Sequence, residues 1–75
     1  MARNIYDVSP SGDKWTVKKR GATAVSGTFD RKEDAIQHGR ALALADQPSQ
    51  LVIRRADGTI ETEYTYGNDP YPPPG

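Results

Sequence analysis

The sequence predicts an α+β fold in which one helix packs across one face of an antiparallel β-sheet. A single helical segment stands near the middle of the chain, short alternating runs typical of strands precede and follow it, and an Asp-Gly turn separates the last two runs. A chain of 75 residues is expected to form one domain. Its elements follow the order β-β-β-α-β-β. We assign residues 1–66 to this domain and residues 67–75 to a Pro-rich C-terminal tail.

The first three strands precede the helix. Asn4–Val8 and Lys14–Lys19 both alternate between apolar and polar residues, and a turn-forming cluster of Ser, Pro and Gly lies between them. The two strands are therefore expected to form a hairpin, and the third strand, Thr23–Phe29, would turn Val25 and Phe29 toward the same core. The inner face of the hairpin would carry Tyr6, Val8, Trp15 and Val17.

The helix is predicted over Asp30–Gln47. Asp30 is a favourable N-cap, and Glu33 follows it at the spacing of a capping box. Pro48 ends the segment, because the residue before a proline is disfavoured in the α region. Small and apolar residues recur on one stripe, which would let the helix approach the sheet closely. These residues are Ala35, Ile36, Gly39, Leu42 and Ala43.

Two more strands follow the helix. Leu51–Ile53 is apolar on both faces, as a central strand is, and Asp57-Gly58 predicts a tight hairpin turn. Ile60–Tyr66 then alternates, with Glu61 and Glu63 on its solvated side. We expect one core layer between sheet and helix, formed by Trp15, Val17, Phe29, Ile53 and Ile60 against Ile36 and Leu42.

Four short motifs occur in a fixed order along nearly the whole chain. They are a Trp-x-Val strand, a helix start containing Glu-x-Ala-Ile, an Asp-Gly hairpin and a closing Tyr-Gly-x-Asp-Pro. Their positions here are Trp15 and Val17, Asp30 with Glu33 to Ile36, Asp57 and Gly58, and Tyr66, Gly67, Asp69 and Pro70. Together they resemble a small bacterial family, the domain of unknown function 2188. The resemblance implies the same fold boundaries and brings no assigned activity.

The residues do not predict a catalytic or metal-binding site. Cysteine is absent and His38 is the only histidine, so a structural zinc site of the usual kind cannot form. Neither a nucleophile elbow nor a Gly-rich phosphate loop occurs. The acidic residues Asp30, Glu33 and Asp34 are explained by helix capping. We therefore expect a protein that is not an enzyme, uses no cofactor and has no small-molecule site, with His38 solvated at the surface.

Charge and hydropathy restrict the expected location of the protein and its expected partners. Ten basic residues balance ten acidic ones, so no global field would draw the chain to nucleic acid or to an anionic membrane. The N-terminus lacks the apolar segment of a signal peptide, and no run approaches the ~20 apolar residues of a membrane span. A cytoplasmic protein that does not associate with membranes is the expectation.

An unidentified protein partner or a second copy of the chain is the first hypothesis for binding. Exposed sheet edges, one leucine on the polar side of the helix and an aromatic tail motivate it. The candidate residues are Leu44, Tyr66 and Tyr71. Two plainer alternatives remain open at this stage. Leu44 would be a single exposed leucine of the common kind, and the tail would fold back so that Tyr71 covers the chain's own core.

Nucleic acid is the second hypothesis. Basic residues are locally dense on the second and fourth strands, and a sheet face with basic and aromatic side chains is a known platform for single-stranded nucleic acid. The candidates are Lys14, Lys18, Arg20, Arg54 and Arg55. Trp15 is predicted to face the helix instead, and Glu61 and Glu63 would offset part of the charge. The alternative is an ordinary solvated sheet face.

Overall fold

The computed structural model describes residues 3–67, which form one five-stranded sheet with a single helix on one face. The predicted order β-β-β-α-β-β is confirmed. The strands are β1 (Asn4–Ser11), β2 (Lys14–Lys19), β3 (Gly27–Phe29), β4 (Ser49–Arg54) and β5 (Ile60–Tyr66), and the helix is α1 (Lys32–Ala45).

The sheet is mixed, so the prediction of a purely antiparallel sheet is wrong. Its strand order is β3-β2-β1-β4-β5. The pairs β1–β2, β2–β3 and β4–β5 are antiparallel, whereas β1 and β4 run parallel. The cause is the helical connection between β3 and β4. A helix carries the chain back to the end of the sheet where β3 began, so β4 runs in the same direction as β3 and β1.

The third strand and the helix begin later than predicted. β3 starts at Gly27 rather than Thr23, and Val25 lies before it with 47% of its surface exposed, so the inward position predicted for Val25 is wrong. The N-cap of α1 is Arg31, which makes no side-chain cap hydrogen bond. Asp30 instead forms an ion pair with Lys14 at the start of β2. The capping-box prediction is wrong because the helix starts at Lys32, so that Asp30 lies one residue before the N-cap.

One core layer lies between the helix and the sheet, as predicted. Val8, Val17 and Leu51 have no exposed surface, and Ala35 and Ala43 of the helix are equally buried. The layer is completed by Tyr6 and Ile53, with Trp15, Phe29, Ile36, Leu42 and Tyr66 packed against it.

Ile60 does not belong to this core, although its place in the alternation of β5 predicted that it would. The register between β4 and β5 shifts at Ile53 and Arg54, so that Thr62 faces Ile53 but Ile60 faces Arg54. The helix packs on β1, β2, β3 and β4 and leaves β5 largely uncovered. Ile60 is therefore 43% exposed at the outer edge of the sheet.

Gly39 marks the closest approach of the helix to the sheet. A Cβ atom at this position would lie 3.0 Å from Leu51 Cδ1 and 3.2 Å from Val8 Cγ2. These distances are shorter than ordinary contacts between apolar carbon atoms. The prediction that small residues on the stripe allow close packing is confirmed, and it explains a glycine that costs the helix about 1 kcal/mol relative to alanine.

Candidate functional site

The sheet face remote from the helix, called here the outer face, carries a row of side chains across four strands. Lys18 of β2 pairs with Asp7 of β1, Asp7 with Val52 of β4, and Val52 with Glu63 of β5. Tyr6, Val8, Leu51 and Ile53 face the helix, so their immediate neighbours along the strands point to the outer face. The row is therefore basic, acidic, apolar and acidic in turn.

Asp7 is the centre of the charge network on this face. Its carboxylate accepts two hydrogen bonds from Arg20, at 3.2 Å from Nε and 2.9 Å from a terminal nitrogen, and a longer one of 3.4 Å from Arg54. The bidentate bond to Asp7 raises the pKa of Arg20 above its ordinary value. Two of the predicted basic residues are thus paired with one carboxylate rather than free for a phosphate.

The five predicted nucleic-acid-binding residues fall into two groups. Lys18, Arg20 and Arg54 share the outer face, as predicted. Lys14 is paired with Asp30 near the start of the helix, and Arg55 donates to Thr59 Oγ1 at 3.3 Å and to the Ile60 carbonyl at 3.0 Å within the β4–β5 turn. The structure therefore brings three of the five together.

The outer face offers no aromatic platform within residues 3–67. Its outward strand positions are Ile5, Asp7, Ser9, Ser11, Lys14, Thr16, Lys18, Thr28, Gln50, Val52, Arg54, Ile60, Glu63 and Thr65. Trp15 lies on the helix side, as predicted, with the Lys32 ammonium 5.2 Å from its ring centre. Base stacking on this face therefore has no ring to use.

Val52 is a buried apolar residue on the outer face. It is only 3% exposed although α1 packs on the opposite face of the sheet. Gln50 donates to Glu63 at 2.6 Å next to it, and Asp7 holds Arg20 and Arg54 on its other side. We attribute the burial of Val52 to these long side chains, which lie over it.

The open edge at β5 is the second candidate surface. β5 is an edge strand seven residues long, whereas β3 at the opposite edge has only three. Within residues 3–67 no strand pairs with the free side of β5. Tyr64 is 44% exposed on the helix-facing side of this strand, opposite Leu51.

Two of the three predicted interaction residues, Leu44 and Tyr66, lie within the described part of the chain. Leu44 is 45% exposed, as predicted. Its carbonyl accepts a hydrogen bond of 2.9 Å from the Gln47 amide, and Gln47 in turn packs against Gly67 directly after β5. Tyr66 is half-buried against the core. Tyr71 and the Pro-rich tail lie outside the described residues.

The remaining candidates for chemistry have structural partners. His38 is half-buried, with its ring 5.1 Å from that of Phe29, and so is less solvated than predicted. Glu61 pairs with Lys32 of the helix, which also lowers the pKa of Glu61. Because of the register shift in β5, Glu61 and Glu63 do not share the outer face as predicted. Among residues 3–67 no group of His, Asp and Glu could hold a metal ion.

A polar cluster fastens the end of the helix to β1 and β2. Asp46 Oδ2 accepts a hydrogen bond of 2.8 Å from the Tyr6 hydroxyl and lies 3.0 Å from Lys19 Nζ. Asn4 Nδ2 donates to the Asp46 carbonyl at 2.8 Å. The bond from Tyr6, followed by that from Lys19, lowers the pKa of Asp46. Burial and the same bond raise the pKa of Tyr6.

We expect stability to fall in acid because of this cluster and similar pairs. The folded-state pKa values of Asp46, Asp30 and Glu61 lie below their ordinary values of 3.8, 3.8 and 4.5. The unfolded chain therefore binds protons first as the pH falls. The stabilisation is complete above about pH 5 and is lost as the pH drops through the folded-state values.

Urea unfolding between pH 3 and pH 7 measures this loss. Asp46→Asn should flatten the decline of the midpoint below pH 5, because it removes one of the shifted carboxyl groups. Asp13→Asn, on the exposed β1–β2 turn, is the control and should leave the slope unchanged. A slope that Asp46→Asn does not alter would contradict this role of Asp46.

No helix within residues 3–67 is long and apolar enough to cross a membrane.

Comparisons with other proteins place this fold in a family. Neither curated proteins nor solved structures provided a match. The model of the DUF2188 family matches residues 6–66. This family is described as uncharacterized protein conserved in bacteria. The match runs from β1 to the end of β5, confirms the resemblance seen in the sequence, and shows that the chain belongs to the DUF2188 family.

Proposed function

We propose that this chain is a small interaction module that self-associates through the free edge of β5, with the same edge available to a strand from another protein. The observation that carries the proposal is an edge strand of seven residues that has no neighbour among residues 3–67. The unpaired N–H and C=O groups of such an edge are a template for another strand. The expected setting is the cytoplasm.

The side chains of β5 favour pairing. Natural edge strands are commonly protected by charged side chains, proline or a β-bulge. β5 contains no lysine or proline, its register shift lies at its start, and Glu61 is paired with Lys32, so that Glu63 is the one unneutralised charge within the regular segment Thr62–Tyr66. Tyr64 and Ile60 instead expose apolar surface along it. The equal numbers of basic and acidic residues mean that two copies have no net charge to repel each other.

Molar mass measured by light scattering from micromolar to millimolar concentration tests this proposal. We expect the mass to rise from monomer toward dimer, and Tyr64→Lys to shift that rise to higher concentration because it places a charge on the edge. Val25→Lys is the matched control, since Val25 is 47% exposed and lies outside the strands. A wild-type chain that stays monomeric throughout would refute the proposal.

Nucleic-acid binding by the outer face is a second candidate. It is supported by the shared position of Lys18, Arg20 and Arg54 on the sheet face opposite α1. The pairing of both arginines with Asp7 makes it the weaker one, as does the lack of an aromatic ring on that face among residues 3–67.

Asp7 provides the test of this second candidate. Asp7→Asn should tighten binding of a single-stranded oligonucleotide severalfold, because it releases both arginines and removes a negative charge. Asp57→Asn removes the same charge at the β4–β5 turn and should have little effect. The logarithm of the affinity should fall with the logarithm of salt concentration by about 0.7 for each phosphate contact. Failure to detect binding at low salt would dismiss this candidate.

A further inference from the structure

We infer that the partner of β5 is the β5 strand of a second copy, paired antiparallel about a two-fold axis at Tyr64. The inference rests on the proposed function and specifies its geometry. Each five-stranded sheet would then continue into the other through a single shared interface. Two copies related by a two-fold axis present the same patch to each other, so each contact occurs twice.

Strand geometry limits the possible registers. In an antiparallel pair, directly opposite residues point to the same face of the sheet, and successive residues alternate between faces. The axis of a symmetric pair therefore passes through a residue that faces its own copy. In β5, the residues through which the two-fold axis could pass are Thr62, Glu63, Tyr64 and Thr65.

Repulsion between like charges argues against an axis at Thr62 or at Glu63. An axis at Glu63 places the two copies of Glu63 opposite each other, and an axis at Thr62 places Glu61 opposite Glu63 twice. Like charges directly opposite each other destabilise a strand pair. An axis at Tyr64 avoids both arrangements, because Glu63 then faces Thr65.

The backbone conformation of Gly67 argues against an axis at Thr65. An axis at Thr65 would pair Glu63 with Gly67, whose φ of +69° is not that of a strand. Only the three residues Tyr64–Tyr66 would then pair in extended conformation. An axis at Tyr64 pairs the five residues from Thr62 to Tyr66 and leaves the register shift near Ile60 outside the paired segment.

The space above Tyr64 accommodates this arrangement. Tyr64 lies on the helix-facing side of β5, but α1 packs on the other four strands. Two Tyr64 rings would therefore meet across the axis without a helix above them. Aromatic side chains directly opposite each other are among the favourable cross-strand pairs.

Single cysteines can locate the axis, because the chain contains no cysteine of its own. Directly opposite residues have Cβ atoms about 4.5–5.5 Å apart, which suits a disulfide after small adjustment, whereas residues away from the axis are separated from their copies along the strand. We expect diamide to cross-link Tyr64→Cys fastest among Thr62→Cys, Glu63→Cys, Tyr64→Cys and Thr65→Cys. Fastest cross-linking at any other of these positions would overturn the register.

A matched pair of substitutions at Thr65 tests the same register while keeping both tyrosines. Thr65 is exposed and faces Gln50 within its own chain, so either charge fits there. Thr65→Lys would face Glu63 of the second copy and lower the dimer dissociation constant, whereas Thr65→Glu would raise it about tenfold. Equal dissociation constants for the two variants would overturn the inference.

The two experiments separate this inference from the function on which it rests. Dimers that cross-link fastest at residue 62, 63 or 65 would refute the axis at Tyr64 and leave self-association through β5 in place. A chain that is monomeric at every concentration and forms no cross-link would refute both. Circular dichroism of each variant verifies that it is folded before its association is measured.

Discussion

Replacement of Leu51 by alanine should lower the free energy of unfolding by about 3 kcal/mol. Leu51 has no exposed surface and lies in β4 beneath Gly39 of the helix, with β1 and β5 on either side. Truncation would leave a cavity where sheet and helix approach most closely. A domain of this size has little stability to spare, so the variant should be partly unfolded at moderate temperature.

Urea denaturation of Leu51→Ala and Leu44→Ala measures this difference. Leu44 is the control because the same side chain is 45% exposed on the far side of the helix. Its truncation should change stability by less than about 0.5 kcal/mol. Equal losses from the two variants would contradict the placement of the core between α1 and β4.

Replacement of Gly39 by valine should destabilise the fold by about 2–3 kcal/mol. The added Cβ alone would lie 3.0 Å from Leu51 and 3.2 Å from Val8, and the two methyl groups of valine would require helix and sheet to separate. The protein should unfold at a clearly lower urea concentration. This measurement tests the close approach that the small residues of the helix allow.

Ala41→Val is the matched control for Gly39. Ala41 is exposed on the same helix, so valine there changes helix propensity by less than about 0.7 kcal/mol without a steric clash. Gly39→Ala separates helix propensity from steric crowding. Alanine adds about 1 kcal/mol of helix propensity relative to glycine. Its Cβ needs Leu51 to shift by a few tenths of an ångström. A Gly39→Val variant as stable as Ala41→Val would disprove close packing at this position.

The core was largely predictable because periodicity determines which side of an element is apolar. Val8, Val17, Ala35, Ala43 and Ile53 all lie where the alternation and the helical stripe placed them. Trp15 packs on the helix side for the same reason. These positions depend on local spacing, which a sequence shows directly.

Features that depend on a distant partner were missed. The spacing of Asp30 to Glu33 predicts a cap, but the helix starts at Lys32 and Asp30 pairs with Lys14 on another strand. Alternation with Tyr6 and Val8 puts Asp7 on the face of Lys18. Its pairing with Arg54 also requires β4 to lie beside β1, which the sequence pattern does not specify.

The sequence by itself determined the order of the elements and the buried face of β1, β2, β4 and the helix, because these follow from residue spacing over a few positions. Only the tertiary structure decided that β4 lies parallel to β1, that β5 is an edge strand of the sheet formed by residues 3–67, and that Asp7 holds two arginines. Strand order and ion pairing join residues that are far apart in the chain. They depend on the path of the helix across the sheet, which the pattern of any single segment does not specify.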